Sequence, residues 1–347
     1  MRLRSLLPAL ALLALVAAPA AAQGWETITP GGDTVCADGS PWKFFVHRGD
    51  PAKLLIEFEG GGACWSGSTC ELDIYTRRVT VDPELARQQG LLVGIYDRNN
   101  PENPFRDWTH VYVPYCTGDL HWGNAATTHV GTAGPFVVQH KGAVNAATAL
   151  QWTAENVAAP SQVFVAGCSA GGYGAIFWAP RIAAQWPAAR LAHLSDSAAG
   201  VVAPGLFATL LPAWNASAAW PGFVTGLDLA GLDPAAISLP QMYDAILAYN
   251  PGGGFAQFNT AFDATQIFFY GISKNEVLLT DATTWSQQMQ AHLAQIEVNP
   301  NFSSYLAPGT EHCVINRAEF YTTTVGERRL VDFVRELAET GSAGRVR

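Results

Sequence analysis

The segment that most constrains this chain is Gly167-Cys168-Ser169-Ala170-Gly171-Gly172, which follows the apolar run Gln162-Val163-Phe164-Val165-Ala166 and opens a helical pattern over Gly172–Trp186. A strand that turns at once into a helix around a central serine forces that residue into a strained backbone conformation and exposes its hydroxyl at the sheet edge. Its flanking positions must be small for strand and helix to approach, and Gly167 and Gly171 meet that need. With 33 glycines in the chain, a bare G-x-S-x-G string carries little weight. The strand before it and the helix after it supply the weight.

Other apolar runs read as buried strands at Leu54–Phe58, Val111–Tyr115, Leu191–Leu194 and Ile267–Tyr270, with a further one over Ala256–Phe262. A helical pattern over Ala143–Val157 precedes the strand Val163–Ala166, so strand, helix and strand alternate as in a parallel sheet. Right-handed crossovers then predict an α/β fold, a doubly wound, mostly parallel sheet with helices on both faces. Hydrophobic residues at 49% and charged residues at 14% suit a sheet buried on both sides. An amphipathic helix is predicted over Glu327–Glu339, where Leu330, Phe333, Val334 and Leu337 share a face. Residues Pro204 to Pro240 have weak periodicity and read equally as a lid or as a surface loop.

The N-terminus, Met1-Arg2-Leu3-Arg4, an apolar run from Leu6 to Val16 and then Ala20-Ala21-Ala22, has the pattern of a signal peptide over residues 1–22. The run is too short to span a bilayer comfortably, and no later stretch is apolar enough. Residues 23–347 read as a single catalytic domain, secreted or periplasmic and monomeric. Export makes Cys36, Cys64, Cys70, Cys116, Cys168 and Cys313 disulfide candidates, and no Cys/His spacing resembles a zinc site. A net charge of −9 offers no basic patch for nucleic acid.

Acyl transfer at Ser169 needs donors for a developing oxyanion and a histidine base. The loop Glu59-Gly60-Gly61-Gly62-Ala63-Cys64-Trp65 follows the strand Leu54–Phe58, and the expected donors are the backbone N–H groups of Gly61, Gly62 and Ala170. His193, His292 and His312 are the histidines beyond Ser169. His193 falls in an apparent strand and His292 in a helical pattern, which leaves His312, in a loop, as the base. For the acid, Asp263 and Asp196 both end apolar segments and spacing does not separate them; Glu276 and Asp281 are weaker candidates.

These strings together resemble the pectin acetylesterase and Notum family of α/β-hydrolases. The resemblance runs through Cys36-Ala37-Asp38-Gly39-Ser40, Glu59-Gly60-Gly61-Gly62, Pro114-Tyr115-Cys116-Thr117-Gly118-Asp119, the Ser169 string, Asn259-Thr260-Ala261-Phe262-Asp263 and Glu311-His312-Cys313. It implies an oxyanion hole at the glycine-rich loop, Ser169 as nucleophile, His312 as base and Asp263 as acid. The order Gly-Gly-Gly-Ala-Cys-Trp departs from plant members, which place Trp before Cys, and residues 201–249 match nothing in the family. The resemblance therefore speaks for ester hydrolysis more than for pectin.

The expected function is a secreted serine esterase acting on carboxylic esters, with acetyl groups on a polysaccharide as the favoured substrate and no cofactor or metal. Trp65 and Trp122 would stack on sugar rings if exposed, and would be core aromatics otherwise. The rivals are a Notum-like deacylase for lipid or other esters and a catalytically silent carbohydrate-binding protein. The expected disulfides are Cys36–Cys116, Cys64–Cys70, which closes a short loop beside the glycines, and Cys168–Cys313, which joins the neighbours of Ser169 and His312.

Overall fold

The computed structural model describes residues 24–347 except 232 and 277–280. The leader expected over residues 1–22 lies outside the described residues. A nine-stranded sheet is built from β1 (Trp25–Ile28), β2 (Phe44–His47), β3 (Asp50–Phe58), β4 (Trp108–Val113), β5 (Gln162–Cys168), β6 (Arg190–Asp196), β7 (Gly254–Thr260), β8 (Phe302–Ala307) and β9 (Arg345–Val346). Their spatial order is β1-β2-β4-β3-β5-β6-β7-β8-β9. β1 and β2 join in antiparallel fashion, and every pairing from β4 to β9 is parallel. The main helices are α1 (Gly142–Asn156), α2 (Ala170–Gln185), α3 (Leu206–Trp214), α4 (Leu239–Tyr249), α5 (Ala264–Lys274), α6 (Ala282–Ile296) and α7 (Leu330–Thr340).

Alternation along the central strands divides the core into two layers. Leu54, Ile56 and Phe58 point to one face with Val163 and Val165, where Ala146 and Ala149 of α1 and Ile176, Phe177 and Ile182 of α2 cover them. Leu55, Phe164, Ala166 and Leu194 point to the other, against Phe333, Val334 and Leu337 of α7. Both faces are thus dry, as the unbroken apolar runs predict.

Register then aligns the strand ends that matter. Phe58 pairs with Gly167, and Gly167 and Cys168 pair with Ser195 and Asp196. Thr260 pairs with Ala307. The loops leaving β3, β5, β7 and β8 therefore open on one edge, the carboxyl edge where open α/β sheets place their ligands.

Two elements differ from the sequence expectation. Ile267–Tyr270 is not a strand: it lies inside α5, whose N-cap is Asp263, with its carboxylate accepting the Gln266 N–H. A short apolar run does not distinguish a strand from the buried side of a helix. The last helix starts at Leu330 rather than Glu327, because Thr324–Val325 and Arg328–Arg329 pair as a small hairpin turning at Gly326. The segment 204–240 is partly helical, and α3 within it roofs the site.

Candidate active site

Ser169 sits between β5 and α2 with φ 54° and ψ −123°, a conformation that side-chain-bearing residues rarely adopt. The close packing that imposes it is visible at the glycines. A Cβ on Gly171 would collide with the Phe58 carbonyl oxygen, and one on Gly167 with the Gly171 carbonyl oxygen. The Ser169 N–H is held by the Asp196 carbonyl at 2.8 Å.

His312 follows β8, and Asp263 follows β7. The imidazole Nδ1 lies 2.9 Å from Asp263 Oδ1 and 2.8 Å from Oδ2. Asp263 is fully buried, while the His312 ring is partly open. Asp263 also receives the Gln266 N–H at 2.9 Å and the Gln266 side-chain amide at 3.0 Å. A carboxylate fixed by these donors leaves Nδ1 as the protonated ring nitrogen and Nε2 as a proton acceptor. Ser169 and His312 both line one cavity, although no hydrogen bond joins Ser169 Oγ to the ring in this geometry. Such bonds are often long in the absence of substrate.

Asp196, the other acid left open by spacing, has a different setting. Its Oδ2 accepts the N–H groups of Val314 and Ile315 at 2.7 and 2.9 Å, and its Oδ1 accepts the Ser197 hydroxyl at 2.9 Å. Burial raises its pKa, opposed by these hydrogen bonds and by the nearby His312. The structure therefore brings Asp263, and not Asp196, to the imidazole.

The cavity has a volume of about 80 Å³. Its walls are apolar, with Val201, Leu206, Phe207, Leu210 and Trp214 from the 201–214 segment facing Leu120, Trp122 and Phe269. Gly62 and Ala170 line it beside Ser169, whereas Gly61 lines a separate open groove with Asp38, Asp73, Arg77 and Arg78. Trp122 is wholly buried, its Nε1 donating to the Tyr173 carbonyl and its ring stacked on Phe177, so it is a wall and not a sugar platform. Trp65 is half-buried at the cavity. Sequence reasoning missed Tyr173, Gln266 and Leu120 as well as the apolar wall from the 201–214 segment and Phe269. For Gln266 a signal existed, since Asp263 followed three positions later by glutamine is the pattern of a capped helix start.

The three disulfides are Cys36–Cys116, Cys64–Cys70 and Cys168–Cys313, as expected. The last ties the residue before Ser169 to the residue after His312. Two groups of ligand atoms, Cys64, Cys70 and His140, and Cys168, His312 and Cys313, are close enough to surround an ion, but their sulfurs are already joined as disulfides and offer no thiolate.

A mostly parallel sheet with a serine on a strained strand-to-helix turn and a His–Asp pair at the same edge defines an α/β-hydrolase-like protein. The chain belongs to the pectinacetylesterase family, whose sequence model matches residues 27–203. It is 35% identical over 92 residues to the palmitoleoyl-protein carboxylesterase NOTUM of Schmidtea mediterranea, an alignment covering 25% of this chain and 18% of that protein. It is 28% identical over 155 residues to the palmitoleoyl-protein carboxylesterase notum2 of Xenopus laevis, covering 43% and 30%. The matched segments thus span less than a third of the length of these relatives. In structure it is similar to the Wnt deacylase Notum from Drosophila, with a TM-score of 0.69 over 94% of this chain and 96% of that one at 17% identity; a second crystal form gives 0.64 over 93% and 97% at 16%. At such identity the likeness concerns the fold.

Proposed function

We propose that this chain is an exported carboxylic ester hydrolase working through Ser169, His312 and Asp263. The observation that carries the proposal is the convergence of Ser169, in its strained turn, and His312, backed by Asp263 at 2.8 Å, on one cavity. His312 Nε2 takes the hydroxyl proton as Ser169 Oγ attacks the ester carbonyl carbon, and Asp263 stabilises the imidazolium that forms. The carbonyl electron pair moves to oxygen, where the N–H groups of Gly62 and Ala170, which line the cavity beside Ser169, receive it; Gly61, expected as a third donor, lies in the neighbouring groove. Collapse expels the alcohol with the proton from His312 and leaves an acyl group on Ser169. Water activated by the same histidine then releases the acid. None of these steps calls for a metal or organic cofactor. A silent binding protein would have no use for this arrangement. The three disulfides favour an oxidising compartment outside the cytosol.

The acyl group belongs in the apolar cavity, whose aliphatic and aromatic walls suit a hydrocarbon chain. Esters with acyl chains longer than acetyl are therefore favoured by the geometry. The polysaccharide acetylesterase reading keeps one supporting observation: the groove on the Gly61 side of the loop carries Asp38, Asp73, Thr76, Arg77 and Arg78, a wall suited to a hydroxyl-rich alcohol. Rates on p-nitrophenyl esters from acetyl to decanoyl, beside acetate release from acetylated pectin, xylan and chitin fragments, decide between them. A maximum at butyryl or beyond supports the apolar acyl group. A rate highest on acetyl, with acetate released from a polymer, supports the acetylesterase.

A further inference from the structure

Leu120 and His121 are consecutive residues in the left-handed region, with φ of 58° and 63°. Neither side chain favours that conformation, and such outliers persist only where their surroundings hold them. Here the turn is held from several sides. The Leu120 N–H donates to Tyr115 Oη at 2.9 Å, the His121 N–H to Asp119 Oδ1 at 3.2 Å, and Trp178 Nε1 to the His121 carbonyl at 2.9 Å. Asp119 is itself fixed by the Thr117 hydroxyl at 2.6 Å and the Gly142 N–H at 2.7 Å. Tyr115, Asp119, His121 and Trp178 are all buried.

What the strained turn delivers is two side chains. Leu120 reaches the cavity that holds Ser169. His121 places its Nε2 2.9 Å from the carbonyl oxygen of Glu59, the residue that leads into Gly60-Gly61-Gly62. A carbonyl only accepts, so this nitrogen carries the proton; burial pushes the imidazole pKa down to about 4, leaving the ring neutral at pH 7. The Glu59 carbonyl and the Gly60 N–H share one rigid peptide plane, so holding that carbonyl sets the direction in which the glycines leave β3. Glu59 is also anchored on β4 and beyond it: its N–H donates to the Val113 carbonyl at 3.0 Å, and its side chain accepts the Tyr115 N–H at 2.8 Å and hydrogen-bonds Tyr112. Further on, the Gly61 carbonyl accepts the Thr76 N–H at 2.8 Å. Three glycines have no side chains with which to fix themselves, and freedom there would blur the aim of their amides.

We infer that His121 is a positioning residue for the oxyanion loop: its imidazole clamps the Glu59 carbonyl so that the loop turns the Gly62 amide toward the substrate carbonyl. The same turn sets Leu120 as a wall of the acyl cavity. The inference rests on the role proposed above for Ser169 and the glycine loop.

The test uses the full chain with His121→Phe, which keeps a ring but loses the donor, and His121→Gln, whose amide restores an N–H at similar reach. Three quantities are compared: kcat/KM on p-nitrophenyl butyrate, inhibition by butyl trifluoromethyl ketone, and inhibition by butyramide. The ketone is attacked by Ser169 Oγ, the proton passing to His312 and the carbonyl pair becoming an oxyanion; butyramide binds without that charge. His121→Phe should lower kcat/KM and ketone affinity by the same factor, about tenfold or more, with butyramide affinity within about twofold, and His121→Gln should recover most of the loss. A folded His121→Phe protein with unchanged ketone affinity overturns the clamp. So does a His121→Gln protein, folded with a wild-type Tm, that has lost ketone affinity tenfold, and this second outcome stands even if the phenylalanine variant does not fold. Ser169→Ala is run alongside. If that variant still forms the ketone adduct, the underlying reading of the site fails, independently of His121.

Discussion

The two carboxylate oxygens of Asp263 lie 2.9 and 2.8 Å from Nδ1 of His312, while Asp263 also caps α5 through the Gln266 N–H. The carboxylate thus caps a helix and, in the proposed mechanism, orients the imidazole, and substitution by asparagine separates the two. Asparagine caps helices about as well as aspartate, so α5 should survive. The amide favours the wrong tautomer, which in a serine protease costs about four orders of magnitude in turnover. Asp263→Asn is expected to be folded and nearly silent, as measured by melting temperature and p-nitrophenyl ester turnover.

Asp196 should behave in the opposite way. It holds the N–H groups of Val314 and Ile315, both buried, and so shapes the backbone just after His312. In Asp196→Ala those two donors lose their partner, at a cost of about 1–3 kcal/mol each. The variant should melt well below the wild type, and Asp196→Asn should melt slightly below it with turnover within about tenfold. Turnover lost in a fully stable Asp196→Asn protein, beside an active Asp263→Asn protein, reverses the assignment.

How far the sequence carried this site is seen at the same two residues. The elbow was legible because its requirements are local: a strand, two glycines that cannot carry a Cβ, and a helix. His312 was legible because the other late histidines fall inside regular elements. The acid was not legible from spacing, because both aspartates follow apolar segments and their difference lies in which loop reaches the imidazole. α5 was misread for a related reason, since Ile267-Phe268-Phe269-Tyr270 is as apolar as a buried strand and only its cap at Asp263 reveals a helix. The role of the 201–214 segment was hidden because the helical spacing of Leu206, Phe207, Leu210 and Trp214 marks an apolar face without telling that this face borders a cavity. Trp122 was ambiguous until its burial was seen.

The Cys168–Cys313 bridge joins the nucleophile strand to the base loop across 145 residues of sequence. A bridge of that span stabilises by up to about 5 kcal/mol, largely through the unfolded chain, and in the proposed mechanism it also holds Ser169 and His312 in register. The double variant Cys168→Ala/Cys313→Ala is expected to remain folded at 25 °C with a lowered Tm and turnover reduced about tenfold. Equal turnover in variant and wild type at a temperature where both are folded contradicts the positioning role.

Stability should peak near neutrality for reasons set by buried groups. Burial holds His47, His121 and His140 down at about 4 and His193 at about 3, with His110 also well below its ordinary 6.5. The unfolded chain then binds more protons than the folded one between about pH 4 and 6.5, and stability falls as pH drops through that window. Burial raises Asp119 to about 6, Glu59 to about 7 and Glu57 to about 8, so the folded chain holds those protons longer and stability falls as pH rises toward 8. In the acid window seven histidines, those five with His129 and His292, oppose four raised acids, those three with Asp196, and the histidines dominate. Thermal melts from pH 4 to 8 should show Tm rising to a maximum near pH 6.5 and declining above it. A Tm that climbs steadily to pH 8 contradicts the protonated buried acids.

The central claim is that Ser169 is the nucleophile of an acyl-enzyme, and intact-mass spectrometry with an alkyl fluorophosphonate tests it most directly. The fluoride leaves as Ser169 Oγ bonds to phosphorus, so wild-type protein should gain one phosphonyl group, located by peptide mapping on Ser169, and lose ester hydrolysis in proportion. Ser169→Ala, folded with a wild-type Tm, should gain none and have turnover reduced by roughly 10⁴-fold or more. A label on another residue, or near-normal hydrolysis by purified Ser169→Ala, would contradict the account.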